Sequence, residues 1–137
     1  MSSSPAAIAI ARTAATASDD KKGTEIVIFD VSEVIVIAEA FVVTSANNRR
    51  LVRTIADAVE DAVRAEHDRS PLRIEGLSDQ QWVLIDYGDV VIHVFSEEQR
   101  RFYEIERLYR DAPKIDWEPR PAPAVVSGTN SDSSAAD

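Results

Sequence analysis

The chain has 137 residues and a formal charge of −9, from 24 acids against 15 bases, which fits one ordinary domain with tails. It contains no cysteine, so a disulfide framework and a thiolate metal site are excluded. The acidic balance argues against nucleic acid or anionic lipid as the main partner, because both call for a Lys/Arg surface that displaces phosphate counterions.

Ser4-Pro5 opens the first predicted element, a helix over 4–17, with Ser as N-cap and Pro at the first helical position. Its apolar face of Ile8, Ala11 and Ala15 is weak, so it needs a surface to pack on. After the polar break Ser18–Gly23, the stretches Glu25–Val31 and Val34–Thr44 are rich in β-branched residues. They read as two strands at the centre of a sheet. Ser45–Asn48 is a turn and capping cluster. From there to His67 the period turns helical: Leu51, Ile55, Val59 and Ala62 form a stripe that Val52, Ala56 and Val63 widen.

Leu72–Gly76 reads as a short edge strand. Trp82–Tyr87 and Val90–Phe95 flank Gly88-Asp89, a hairpin signal. Ser96 with Gln99 matches a capping box and opens a helix predicted to bury Phe102, Ile105 and Leu108. Glu97–Arg101 and Glu106–Arg110 stand at the i,i+4 spacing of helical ion pairs, and Pro113 closes the helix. The domain is expected to span 1–113. Residues 114–137, rich in Pro, Ala, Ser and Asp without period, read as a disordered tail. The fold class is α/β (α+β), a mixed sheet of about five strands with helices packed on it.

Most of the excess acid lies in 25–113, where ten Arg stand among eighteen acids. No window approaches the roughly 20 apolar residues of a spanning helix. The N-terminus lacks the basic start and apolar run of a secretory signal, so a cytoplasmic location is expected.

No catalytic constellation emerges. His67 lies at a solvated helix end, and His93 shares a strand face with Val91 and Phe95; neither has a second His at metal-ligand spacing. Asp86 and Asp89 flank the hairpin turn, where Asp bonds its own backbone; as metal carboxylates they are the less favoured reading. The four glycines are too scattered for a phosphate-cradling loop, and no Ser is framed as a nucleophile. Catalytic residues, cofactor and metal are therefore expected to be none. Trp82 opens a strand after a polar loop and reads either as a core anchor or as an interface anchor, since Trp concentrates binding energy.

Together these residues resemble the ribosomal silencing factor family, related to Iojap proteins, over about residues 5–111. The run Trp82-Val83-Leu84-Ile85-Asp86-Tyr87-Gly88-Asp89-Val90-Val91-Ile92-His93 is similar to that family's W-x-x-x-D-x-G-D-x-x-x-H core. Ser96–Leu108 continues it as the closing helix, and Glu75-Gly76, Asp30-Val31, Arg50, Val52 and Ile55-Ala56-Asp57 match further positions. Ala38-Glu39 stands where Thr-Asp is usual, Leu51 where Gln or His is usual, and Tyr109 in place of a closing Trp. The resemblance implies a nucleotidyltransferase-like fold without the catalytic motif. It implies a non-enzymatic translation repressor that binds the large ribosomal subunit through its fourteenth protein and blocks joining of the small subunit when nutrients are short. It also implies a homodimer. On this reading Trp82, Asp86, Tyr87, Gly88, Asp89 and His93 are the partner-binding residues, with the acids receiving Arg or Lys of a basic partner. A nucleotidyltransferase-like nucleotide-binding protein is the alternative, by fold analogy.

Overall fold

A computed structural model describes residues 3–117. In chain order the elements are α1 (Pro5–Asp20), β1 (Thr24–Asp30), β2 (Ala40–Ala46), α2 (Arg49–His67), β3 (Arg73–Glu75), β4 (Trp82–Asp86), β5 (Val90–Ser96), α3 (Glu97–Tyr103), α4 (Ile105–Leu108) and β6 (Lys114–Ile115). The strands form one mixed sheet in the order β3-β4-β5-β2-β1-β6. Only β2 and β5 are parallel; the other pairs are antiparallel. This central pair is buried along its whole length, which matches its mostly Val/Ile/Phe/Ala composition, with Thr44, Ser45, His93 and Ser96 as buried polar exceptions.

Helices α1 and α2 cover one face of the sheet. The alanines of α1 (Ala7, Ala11, Ala14) and the Val52–Ile55–Val59 stripe of α2 pack with Ile28, Val42, Ile85 and Ile92 in one core. Both helices start at side-chain caps. Ser4 Oγ accepts from the Ala7 amide at 3.2 Å, and Asn48 Oδ1 accepts from the Leu51 amide at 2.8 Å; each satisfies an amide that the helix start leaves open.

The structure corrects four sequence expectations. The sheet has six strands among the described residues rather than about five. Strand β2 starts at Ala40, not Val34. Residues 31–39 instead form a loop closed by the Val31 amide on the Glu39 carbonyl (2.9 Å) and tied to the hairpin by the Glu39 amide on the Asp89 carbonyl (2.8 Å). The loop turns Val31 and Ala38 inward and leaves Val36 and Ile37 exposed, so its β-branched residues mimic a strand without pairing as one.

The helix after Ser96 breaks at Glu104, which takes a left-handed conformation (φ 50°). Of the three residues expected on its buried side only Ile105 is buried; Phe102 and Leu108 are each 74% exposed. Its ion pairs are rewired as well, to Arg100–Glu106 and Glu104–Arg107 (3.0 Å). Finally, the segment expected as tail begins in β6, where Ile115 pairs with Ile28 and Lys114 with Phe29. Trp117 Nε1 then donates to the Ile26 carbonyl at 3.1 Å. The rest of the expected tail, 118–137, lies outside the described residues.

Candidate partner-binding face

The second face of the sheet is buried across β1, β2 and β5 and half-exposed along β4. Alternation along β4 puts Trp82, Leu84 and Asp86 on this face. The register sets them opposite Phe95, His93 and Val91 of β5, and Phe41 and Val43 of β2 continue the surface. Ile105 of α4 packs on one margin, and Val31, Ala38, Ala112 and Tyr109 on the other. Trp82 and Leu84 stay half-buried between them.

Trp82 is held from three sides. Its ring stacks on Phe95 (centroids 4.8 Å apart, planes at 29°) and meets Tyr103 at 4.8 Å. Its Nε1 donates to His93 Nδ1 at 3.2 Å. The indole N–H can only donate, so His93 Nδ1 accepts and the imidazole proton sits on Nε2. That Nε2 is buried with no hydrogen-bond partner among the described residues. His93 itself is 5% exposed, its ring edge-on to Phe41 at 4.7 Å. In this chain it therefore lies beneath the indole and supports it rather than standing on the surface.

Burial pushes the His93 pKa down to about 4, so the fold favours the neutral ring. A lowered folded-state pKa gives stability that is complete above the unfolded value near 6.5 and is lost as pH falls towards 4. The His93→Phe chain is expected to lack this loss. Urea midpoints from pH 7 to pH 4 are expected to fall further in the parent than in the variant, by up to about 3 kcal/mol. Parallel curves would contradict the assignment.

The hairpin turn closes the other end of the face. Gly88 sits at φ 91°, a conformation open to glycine, and its amide donates to Asp86 Oδ1 at 2.7 Å. Arg73 Nε donates to Asp86 Oδ2 at 3.2 Å. Arg69 Nη2 donates to Asp89 Oδ1 at 3.0 Å and to the Tyr87 carbonyl at 2.8 Å. The two acids, expected as open acceptors, are thus already paired with the chain's own Arg, although both stay partly exposed.

Tyr87 departs from expectation too. One position past Asp86, its side chain falls on the helix-covered face, 2% exposed within the main core. Burial there pushes its hydroxyl pKa up to about 12. It braces the turn from behind and presents no surface. Of the six predicted site residues, Trp82, Asp86 and His93 lie on the second face by register, Gly88 and Asp89 form the hairpin turn at its end, and Tyr87 lies behind in the helix-covered core.

Among the described residues no group of three or more His, Asp or Glu is arranged to hold a metal ion, and no helix is long and apolar enough to cross a membrane. Sequence reasoning missed Leu84, Tyr103 and Arg100. Alternation from Trp82 points to Leu84; nothing in the helical spacing points to the other two.

A family model described as ribosomal silencing factor during starvation matches residues 4–137. The chain is 36% identical over 107 residues to the ribosomal silencing factor of Bacillus subtilis, covering 78% of this chain and 90% of that one. It is 37% identical over 105 residues to that of Halalkalibacterium halodurans, covering 77% and 89%. It is also 28% identical over 109 residues to the chloroplastic Iojap protein of Zea mays, covering 80% of this chain and 47% of that one. Crystal structures of a Chromobacterium violaceum protein (TM-score 0.72, 30% identity, 76% of this chain and 86% of that one) and a Bacillus halodurans protein (TM-score 0.66, 32% identity, 77% and 94%) share the fold.

Proposed function

We propose that this chain, which belongs to the ribosomal silencing factor family, is a translation repressor that binds the large ribosomal subunit through its fourteenth protein. Bound there, it blocks joining of the small subunit and slows translation under nutrient limitation. The observation that carries this reading is the half-exposed β4 side of the second sheet face, with Trp82 fixed on it. A large aromatic ring, prepositioned by Phe95, Tyr103 and His93, has the character of an interface anchor. Trp82, Asp86, Gly88 and Asp89 make the contact in this account, while Tyr87 and His93 hold them in place.

The mechanism needs no chemistry, only steric exclusion, so the chain acts as a non-enzyme without cofactor; the same reading places it in the cytoplasm and makes it a homodimer. Its acidity supports a basic partner: long-range attraction speeds encounter and weakens as salt screens it. Co-sedimentation with purified large subunits tests the reading. The protein is expected to pellet with them at low salt and progressively less as salt rises. A protein that stays in the supernatant at every salt concentration would refute it.

A further inference from the structure

The α3–α4 elbow exposes aromatic surface that the fold does not use. Phe102 is 74% exposed and Tyr103 46%. The two rings meet edge-on at 5.0 Å, and Tyr103 lies 4.8 Å from Trp82. Phe102, Tyr103 and Trp82 therefore form one strip running off the margin of the sheet.

A buried charge holds that strip in place. Arg100 is 5% exposed and ties its own helix to three other elements at once. From α3 its Nη1 donates to Ser45 Oγ at the end of β2 (3.0 Å) and to the Thr24 carbonyl at the start of β1 (3.3 Å). Its Nε donates to Glu106 of α4 at 2.7 Å, and its Nη2 donates to the same carboxylate. Two backbone irregularities serve this clamp. The register of β1 against β2 shifts between Thr24 and Val27, with Glu25 between them at φ 48°. Glu104 at φ 50° turns the chain so that Glu106 comes back to Arg100. Non-glycine residues in this region carry local strain, and here both flank the same guanidinium.

We propose that the elbow is a second half of the partner-binding face, with Phe102 and Tyr103 as contact residues beside Trp82 and Arg100 as the positioning residue that holds them there. The occupant is a basic protein surface. Glu98 stands four positions before Phe102 and so shares its side of α3, which sets an exposed acid beside an exposed ring. That pairing suits an Arg or Lys stacked on the aromatic face. The inference rests on the ribosome-binding reading and adds residues to its site.

The test is binding of the full chain to purified large subunits. Phe102→Ser removes mostly exposed surface, with one edge-on contact to Tyr103. It is expected to keep the parent's urea midpoint and to bind roughly 10-fold more weakly. Arg100→Ala is expected to bind more weakly still. In a Trp117→Phe background, where Trp82 is the one remaining indole of two, Arg100→Ala is also expected to red-shift Trp82 emission as Tyr103 leaves the ring. If Arg100→Ala does not fold, Glu106→Gln loosens the same clamp and is expected to show both changes in smaller degree. Parental binding by Phe102→Ser overturns the proposal, as does a change in self-association alone or clamp variants with unshifted emission. If the parent chain itself does not bind large subunits, the ribosome reading falls first and this one with it.

Discussion

Trp82→Ala is expected to bind large ribosomal subunits about 30- to 1000-fold more weakly than the parent, the equivalent of about 2–4 kcal/mol. The size follows from the position of the ring. Trp82 is the largest side chain on the half-exposed part of this face, and its rotamer is fixed before any partner arrives by Phe95, Tyr103 and the His93 hydrogen bond. An anchor fixed in advance loses little conformational freedom on binding. The same substitution uncovers Phe95 and leaves His93 Nδ1 without its donor, so some fold stability goes with it. Trp82→Phe separates the two effects, because it keeps an aromatic ring on Phe95 while losing the N–H and the second ring of the indole. Binding isotherms read beside urea midpoints check the pair: Trp82→Ala is expected to lose far more affinity than Trp82→Phe while both remain folded without denaturant. Parental affinity in the folded Trp82→Ala chain would remove Trp82 from the interface.

Gly76→Ala is expected to be the most damaging single methyl on the sheet. A Cβ at Gly76 would stand 2.0 Å from the Trp82 carbonyl oxygen and 3.0 Å from its carbonyl carbon, and the residue sits at φ 90°. Backbone cannot yield as a flexible side chain does, so steric overlap adds to an unfavourable conformation. Together they are expected to cost about 3 kcal/mol or more. The relief open to the chain is to move the start of β4, which displaces the Trp82 ring from Phe95. Stability and subunit binding are therefore expected to fall together. A urea midpoint equal to the parent's would show that this close approach does not exist.

The Glu75-Gly76 pair illustrates what could be read in advance. It stood out in the sequence only as a match to a family, and its reason, a loop that brings residue 76 against the Trp82 backbone, needed coordinates. The hairpin was legible because Gly88-Asp89 between two β-branched runs is a local signal, and so were the caps at Ser4 and Ser96. The start of β2 was not. Val34–Ile37 has strand composition, but pairing decides a strand, and the hydrogen bonds of Glu39 go to Val31 and to the hairpin.

The closing helix misled for a related reason. Phe102, Ile105 and Leu108 share a face only if the helix is continuous, and the break at Glu104 serves an Arg100–Glu106 contact across six positions that no helical period encodes. Arg100 itself reads as one more charge in a solvated helix, although it is among the most buried polar residues described. Within the candidate site, period-two alternation places His93 on one face with Val91 and Phe95, and its ring does stack beside Phe95. The same alternation along β4 sends Tyr87 to the helix-covered face, which the resemblance of the continuous run Trp82–His93 does not reveal.

Subunit joining is the most direct test of the central claim. Purified small and large subunits are mixed in associating buffer and followed by light scattering, with the protein added first to the large subunit. The account predicts that excess parent chain suppresses the rise in scattering and that Trp82→Ala, folded and at the same concentration, leaves it intact. Joining that proceeds equally with and without the parent chain would contradict it.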